Sequence, residues 1–222
     1  MKNLTTSVIA CSLLIAGAIQ GHTQAVFVDP GSPWGGWMNV YDLVGGNTQG
    51  GYLWGSGWGT ADLPAVISGP TLTLGPNVST WNPTDPYWVN AGQPNKWMEA
   101  NFYVDVGASF AGNSVTFSGN TIANTLVSPY SSVAFIKEFT SSYGWVGMTT
   151  APLAGGTPFS VNRSIGAGNI TQYGFMALGP NADPATVGAF GQVSIAVIPE
   201  PVGLSLLGLG IVGLVWARRH RG

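Results

Sequence analysis

Turn-forming residues interrupt this chain again and again between residues 26 and 198, and their spacing limits the fold more than any other feature. Gly, Pro, Asn and Ser recur at intervals of roughly ten residues, and the runs between them are short and rich in β-branched and aromatic residues. No run carries the sustained 3.6-residue apolar stripe of an amphipathic helix. The 33 glycines and 15 prolines follow no collagen-like period. The pattern therefore predicts an all-β domain.

The clearest strand is WMEANFYVDV, residues 97–106, in which apolar and polar side chains alternate. Phe102 and Val104 fall on one face and Asn101 and Tyr103 on the other, which is typical of a half-buried antiparallel strand. Further strands are predicted at 37–44, 51–54, 63–67, 71–74, 114–118, 132–139, 145–149, 173–178 and 192–198. About eight to ten strands in one domain predict an antiparallel β-sandwich, and specifically a jelly roll.

Charge is scarce in the predicted β-domain. Charged residues make up 7% of the chain, and across 26–198 eight acidic residues face three basic ones, a formal net charge of −5. Such a domain cannot neutralise phosphates along a basic stripe, so nucleic acid is not an expected partner. Cys11 is the only cysteine, and His22 and His220 lie near the chain ends. Disulfides, zinc sites and His-dependent nucleophilic sites are therefore not expected within the domain.

The N-terminal segment MKNLTTSVIACSLLIAGAIQGHTQA, residues 1–25, has the order of parts of a secretory signal peptide. Lys2 supplies the positive start, and Val8 to Ile19 form an uncharged stretch that is too short for an ordinary membrane span. Two cleavage positions stay open, after Ala25 and after Ala18. The sequence predicts a signal-peptide helix and export of the rest of the chain.

The C-terminal tail, residues 199–222, begins with Pro199, Glu200 and Pro201. Two prolines disfavour both helix and sheet pairing, so this segment is expected to be extended. Residues 202–217 carry no charge and would form a helix roughly 24 Å long, enough for a transmembrane anchor with help from boundary residues. A terminal helix packed into the domain is the alternative, but a helix that is apolar all round suits lipid better.

Three arginines follow the apolar run, Arg218, Arg219 and Arg221, and are expected to stop the chain on the cytoplasmic side. This order of Pro-Glu-Pro, apolar helix and arginine cluster resembles the PEP-CTERM sorting signal of Gram-negative bacteria. The resemblance implies recognition of the Pro-Glu-Pro motif by an exosortase, a membrane-embedded sorting peptidase. It also implies transient anchoring in the inner membrane, delivery to the cell surface or the medium, and an association with exopolysaccharide or biofilm. It covers only the tail.

Tryptophans are concentrated in the first half of the β-domain, where six of the nine lie. Aromatic faces stack on the apolar faces of sugar rings, whereas bulky rings also fill cores and cover glycine-rich loops. Trp34, Trp58 and Trp81 stand beside Pro, Gly or Asn and are the candidate sugar-binding residues. Trp97 and Trp145 begin predicted strands and are expected in the core.

Two hypotheses about function follow. The first is an exported, non-enzymatic surface or matrix protein; the alternative is a carbohydrate-binding module that uses exposed tryptophans. Catalysis is not expected: Glu99 and Asp105 share a strand face but lie roughly 20 Å apart, too far for a hydrolytic carboxylate pair. A pairing of Glu99 with Glu138 stays open.

No catalytic residue, metal site or cofactor is predicted. Structural calcium is considered only at Asp29, Asp85 and Asp183, which are better explained as residues that start turns.

Overall fold

A computed structural model describes residues 22–45 and 47–197. Fourteen strands account for most of these residues, together with two short 3₁₀ helices at Gly107–Phe110 and Val187–Phe190. The strands are β1 Thr23–Val26, β2 Trp34–Val44, β3 Thr48–Trp58, β4 Ala65–Ser68, β5 Thr71–Leu74, β6 Val89–Asn90, β7 Gln93–Pro94, β8 Lys96–Asp105, β9 Ser114–Asn124, β10 Ser131–Phe139, β11 Trp145–Pro152, β12 Thr157–Ser164, β13 Ile170–Pro180 and β14 Val193–Ala196.

Two six-stranded sheets are formed by all but two of these strands. In the first sheet β9 pairs on one edge with β12 and on the other with β1 and β14, and β14 leads on to β5 and β4. The second sheet has the order β11-β10-β13-β8-β2-β3. All pairings are antiparallel except that of β1 with β9, and β6 and β7 make a separate small hairpin. The predicted all-β fold of antiparallel sheets is confirmed.

The core lies between the two sheets and is built from one side-chain face of each. Phe175 of β13 and Phe117 of β9 are fully buried, with ring centroids 5.2 Å apart, and Phe159 of β12 packs against both. Burying a side chain of this size contributes about 1.5–3 kcal/mol. No cysteine lies within the described residues, so apolar packing of this kind holds the two sheets together without a disulfide.

Strand alternation gives the second sheet an outer face, turned away from the core. In β8, Met98, Ala100 and Phe102 point into the core, so the intervening residues point outward, as the sequence predicts. Gly174 of β13 lies on the outer face between Phe135 and Tyr103 in the strand register. A Cβ there would overlap the Phe102 carbonyl oxygen and lie 2.7 Å from the Tyr103 Cα. Glycine thus allows β13 to approach β8 closely.

The predicted strands all correspond to strands of the structure, with ends that differ by a few residues. Four strands were not predicted. β6 and β7 are only two residues long each, β12 contains a proline and a charged residue, and β1 falls within the predicted signal peptide. The predicted boundary at residue 25 therefore cuts β1, whereas cleavage after residue 18 would leave it whole.

No helix among residues 22–45 and 47–197 is long and apolar enough to cross a bilayer. The predicted signal helix, the Pro-Glu-Pro motif, the anchor helix and the arginine cluster lie outside the described residues, apart from the segment that forms the start of β1.

Candidate functional site

A cleft with a volume of about 830 Å³ crosses the outer face of the second sheet. Its aromatic lining comes from β2, β3, β8, β10, the β10–β11 connection and β11: Trp37, Tyr52, Tyr103, Phe139, Tyr143 and Trp145. Its polar lining comes from neighbouring strands: Asn39, Asn101, Asp105, Lys137 and Gln172. The volume is within the usual range for ligand sites, and the mixture of rings and converging polar groups is typical of them.

One end of the cleft is an aromatic platform formed by Trp37 and Tyr52. The two side chains are 40% and 59% exposed. The Trp37 Nε1 donates a hydrogen bond to the Asn39 Oδ1 at 2.8 Å, which fixes the indole by its edge. Tyr52 packs edge-on against Tyr41, with ring centroids 5.5 Å apart. Both platform rings are therefore held in place while much of their surface stays open to solvent.

The other end is a second aromatic platform, formed by Tyr143 and Trp145. They are 57% and 59% exposed. Trp145 packs edge-on against Phe139 at 5.6 Å, and the Tyr143 hydroxyl donates to the Asp105 Oδ2 at 3.2 Å. Tyr143 has a φ of 60°, a conformation that costs a non-glycine residue about 1–2 kcal/mol. Such local strain is characteristic of residues held in position for binding.

The tryptophans of the two platforms stand on strands that are not neighbours in the second sheet. Trp37 lies on β2 and Trp145 on β11, with β8, β13 and β10 between them. Four inter-strand spacings amount to roughly 19 Å at about 4.8 Å each. A ligand that stacks on both indoles therefore lies across the strands.

A hydrogen-bonded network centred on Glu99 forms the floor near the first platform. Its carboxylate accepts from the Asn39 Nδ2 at 2.9 Å, the Asn101 Nδ2 at 3.1 Å and the Tyr41 hydroxyl at 3.1 Å. The Lys137 Nζ donates to the Asn101 Oδ1 at 2.6 Å and lies 3.7 Å from the Glu99 Oε1. Two ends of the Asn101 amide are thus bound to different partners, which fixes its orientation.

Burial and the carboxylate control protonation in this network. Burial lowers the pKa of Lys137, and the neighbouring Glu99 charge and hydrogen bond act in the opposite direction. Burial, followed by the Glu99 charge, raises the pKa of Tyr41 well above its ordinary value. The tyrosine therefore stays protonated and donates to Glu99 at any pH at which the fold is expected to survive.

Asp105 organises the floor near the second platform. Its Oδ2 accepts from the Gln172 Nε2 at 2.8 Å as well as from Tyr143, and its Oδ1 accepts from the Gly107 backbone N–H at 2.8 Å. The Asp105 charge raises the pKa of Tyr143, and burial followed by the same charge raises that of Tyr103. The floor therefore presents fixed amide, hydroxyl and carboxylate groups between two sets of exposed rings.

The candidate residues Trp34, Trp58 and Trp81 lie outside this cleft. Trp34 stacks on Phe102 in the core with a 4.5 Å centroid separation, and its Nε1 donates to the Asp29 carbonyl oxygen. Trp58 is half-buried against the core, and its Nε1 donates to the Ser56 hydroxyl. Trp34 and Trp58 therefore have structural contacts in place of an open ring face.

Trp81 lines a smaller pocket of about 250 Å³ with Tyr130, Asn181, Asp183 and Phe190. This pocket does not share a lining residue with the cleft. Trp81 is half-buried, so only part of its ring is open to a ligand.

The sequence also predicts that Trp97 and Trp145 lie in the core, and the structure buries only the first of them. Trp97 is buried, as predicted. The expectation that Trp145 is a core residue was wrong, because it begins an edge strand of the second sheet and points into solvent.

Trp37 is a cleft residue that the sequence did not mark as a candidate. It precedes the core residue Met38 on the same strand, so strand alternation places it on the outer face and could have identified it.

The acidic residues considered for calcium all cap turns. The Asp29, Asp85 and Asp183 carboxylates accept backbone N–H groups two residues ahead, at 3.0, 2.9 and 2.8 Å. Within the described ranges, no group of three His, Cys, Asp or Glu side chains could hold a metal ion.

Glu99 and Glu138 lie on opposite faces of the second sheet. Glu99 alternates with core residues and belongs to the outer face, whereas Glu138 shares the parity of the core residues Ala134 and Ile136 and binds Arg163 of the first sheet. The pairing left open by the sequence is therefore wrong.

Comparison with protein-family models, with curated proteins and with solved structures gives no match. The cleft on the outer face of the second sheet is therefore the feature that bears on function.

Proposed function

We propose that this chain is an exported, non-enzymatic carbohydrate-binding protein that holds a glycan in the cleft of the second sheet. One observation carries the proposal: Trp37, Tyr52, Tyr143 and Trp145 expose large fractions of their rings around a polar floor. Clustered aromatic surface that stays exposed to water commonly marks a binding site, and the chain places four such rings in one cleft. Glycan binding therefore accounts for the exposure of Tyr143 and Trp145.

Sugar chemistry matches this lining. A pyranose ring has an apolar face of C–H groups that packs on an aromatic ring, and a rim of hydroxyls that pair with amides and carboxylates. The cleft supplies the rings at both ends and Asn39, Asn101, Gln172 and Asp105 between them. Fixed rings and fixed amides lose little conformational entropy when a ligand binds.

The strand order supports the finer fold assignment, which we also propose. Strands β5, β14, β9 and β12 lie side by side in the first sheet, and β8, β13, β10 and β11 do so in the second. Apart from β10 and β11, these eight strands alternate between the sheets along the chain, which is the double Greek key of a jelly roll. Lectins are among the proteins that use this architecture, which is support by analogy only.

Binding without hydrolysis is the proposed activity. The two carboxylates of the outer face, Glu99 and Asp105, are six residues apart on β8, roughly 20 Å at about 3.3 Å per residue. Glycoside hydrolysis needs carboxyl groups no more than about 9.5 Å apart. Both carboxylates also have several hydrogen-bond donors from the protein, which suits a positioning role.

A glycan array tests the proposal directly. The full-length protein, purified in a detergent without a sugar head group, should bind a restricted set of oligosaccharides or polysaccharides. A variant that carries Ile122→Ala, an exposed residue of the first sheet, should give the same pattern. The absence of binding to every glycan on a broad array would refute carbohydrate binding.

Gly55 of β3 offers a test of the first platform that does not remove any ring. A Cβ at Gly55 would overlap the Asn39 Oδ1 and lie 2.8 Å from the Trp37 Nε1 and 3.0 Å from the Tyr52 hydroxyl. All three atoms are side-chain ends that can move, so Gly55→Ala should preserve the fold but break the Trp37–Asn39 hydrogen bond. We expect glycan affinity to fall about fivefold, since such a bond contributes about 1 kcal/mol.

Gly57→Ala is the matched control on the same strand, because a Cβ there meets nothing within 4 Å. Circular dichroism should show that both variants fold, and titration calorimetry should separate their affinities. Equal affinities for the two variants would contradict the role given to the first platform.

We further propose, on the sequence of the tail, that export and sorting deliver this domain to the cell surface. Replacing Pro199, Glu200 and Pro201 by alanines should leave the protein in the membrane fraction, because the sorting peptidase would no longer recognise the chain while residues 202–217 still anchor it. Immunoblots of membrane, surface and medium fractions measure the distribution. Release equal to that of the parent chain would argue against the sorting motif.

A further inference from the structure

The lysine and arginine side chains of the described residues are all used in internal ion pairs. Lys96 lies 3.7 Å from the Asp42 Oδ1, and Lys137 lies 3.7 Å from the Glu99 Oε1. The Arg163 Nη2 lies 2.6 Å from the Glu138 Oε2. None of the three side chains is more than 19% exposed. The described part of the chain therefore has no free lysine or arginine with which to bind an anion.

Lys137 is the cation of the cleft, and its contacts already satisfy it. The Nζ donates to the Asn101 Oδ1 at 2.6 Å, lies beside the Glu99 carboxylate and sits 4.6 Å from the centre of the Phe135 ring. Its side chain is only 10% exposed. Lys137 therefore fixes the orientation of Asn101, and the Glu99 carboxylate neutralises its charge in the absence of a ligand.

The uncompensated charge of the cleft is negative. Asp105 lines the cleft and is bound by Gln172, Tyr143 and the Gly107 N–H, which are neutral donors. Within the described ranges no lysine or arginine nitrogen lies within 4 Å of its carboxylate. The surrounding domain, residues 26–198, adds a formal net charge of −5. A ligand anion would meet a field of its own sign.

We propose that the cleft binds neutral polysaccharide and discriminates against acidic polysaccharide. This inference rests on the proposed function and adds the chemical class of the ligand. A uronate carboxylate placed on this floor would lose part of its hydration without gaining a cation, and it would be repelled by Asp105. Neutral hydroxyls avoid this cost, because an amide accepts hydrogen bonds from a hydroxyl and donates to it, and a carboxylate accepts from it. The discrimination comes from a repulsive element built into the site.

The experiment compares each neutral polymer with its own carboxymethylated derivative. A panel of β-glucan, galactomannan and xylan, each unmodified and carboxymethylated, is titrated into the full-length protein in sugar-free detergent, with and without calcium. We expect at least one neutral polymer to bind and its derivative to bind at least tenfold more weakly. Lower ionic strength should weaken binding of the carboxymethylated derivative further, because screening of like charges is reduced, and it should leave binding of the neutral polymer unchanged.

Asp105→Asn tests the cause of the discrimination. This change removes the carboxylate charge and keeps a side-chain oxygen that can accept from the Gly107 N–H or from Gln172. The variant should reduce the preference for the neutral polymer severalfold, a gain of acidic binding that damage to the fold cannot produce. Circular dichroism verifies folding.

The experiment distinguishes a failure of the neutral-ligand inference from a failure of the proposed function. Tighter binding of carboxymethylated or uronate polymers, with or without calcium, would overturn the neutral-ligand inference while leaving carbohydrate binding in place. An unchanged preference in a folded Asp105→Asn protein would also overturn it. If no polymer of either kind bound, the proposed function itself would fail, and the inference would fail with it.

Discussion

Simultaneous replacement of Trp37 and Trp145 by alanine should weaken glycan binding about a thousandfold. Removing a well-packed aromatic contact from a binding site commonly costs about 2 kcal/mol, or roughly thirtyfold in affinity. The two residues are separated by four inter-strand spacings, and the effects of such distant changes usually add. Each single variant should therefore lose about thirtyfold, and the double variant should lose the product of the two.

The length of the ligand should decide whether both residues matter. A polymer that crosses the sheet contacts both platforms, so both variants weaken it. A monosaccharide is too short to stack on two indoles whose strands lie roughly 19 Å apart, and it should respond to only one of the two changes. Titration calorimetry with an oligosaccharide series measures both effects. Equal sensitivity of short and long ligands to both variants would contradict a chain that crosses the strands.

Controls distinguish the cleft from other sites. Both tryptophans are 40% or more exposed and lie outside the core, so both variants should remain folded, and circular dichroism verifies this before affinities are compared. Trp81→Ala removes an indole from the separate small pocket and should leave affinity unchanged. If Trp81→Ala abolished binding while the double variant retained it, the small pocket would be the binding site.

The sequence is sufficient to predict the class of fold because the relevant signals are local. Alternation in residues 97–106 correctly assigns Phe102 and Val104 to the core and Asn101 and Tyr103 to the outer face. The turn residues likewise locate most strands. β12 is missed because its sequence TPFSVNRS mixes a proline and an arginine with only two strongly buried apolar residues. Its arginine is nevertheless half-buried by its partner in the other sheet.

The position of the candidate site is not predictable in the same way, because it depends on strand order. Trp145 points into solvent since β11 is an edge strand, and nothing local marks it as one. Trp34 stacks on Phe102 because β2 pairs with β8, two segments that lie more than fifty residues apart. Residue type thus identified aromatic rings as candidates, but long-range pairing decides which of them are open to a ligand.

The ion pair between Arg163 and Glu138 links the two sheets and gives the prediction with the largest effect on stability. Glu138 of β10 is 3% exposed. Its Oε2 accepts from the Arg163 Nε at 2.8 Å, and its Oε1 accepts from the Gly166 N–H and the Asn169 Nδ2 at 2.8 and 2.7 Å. Every acceptor direction of the carboxylate is therefore in use.

Removing the arginine should leave a buried carboxylate without its cation. Arg163→Met keeps much of the side-chain volume but should lower the free energy of unfolding by about 3–5 kcal/mol. The ion pair between Lys96 and Asp42 is the control, because the Asp42 side chain is 52% exposed. Asp42→Asn should cost only about 1 kcal/mol, because the buried Lys96 Nζ keeps its hydrogen bond to the Asn95 carbonyl oxygen and its contact with the Tyr87 ring. Urea unfolding followed by tryptophan fluorescence measures both values.

Acid should reveal the same contact. Burial alone would raise the pKa of Glu138, but hydrogen bonds from Asn169, Gly166 and Arg163 and the Arg163 charge outweigh burial and hold that pKa below its ordinary value. A carboxyl group whose pKa is lower in the folded state contributes stability above its unfolded pKa, about 4.3, and loses that contribution as the pH falls through the folded value. Without Arg163 the folded pKa of Glu138 rises, so protonation relieves the uncompensated buried charge. The difference in the free energy of unfolding between the parent and Arg163→Met should therefore shrink as the pH falls.

Adding Glu138→Gln to Arg163→Met should restore part of the lost stability at neutral pH and little of it at acid pH, because the buried charge is then gone. An Arg163→Met protein as stable as Asp42→Asn, with a difference from the parent that does not change with pH, would show that the two sheets are held by apolar packing alone.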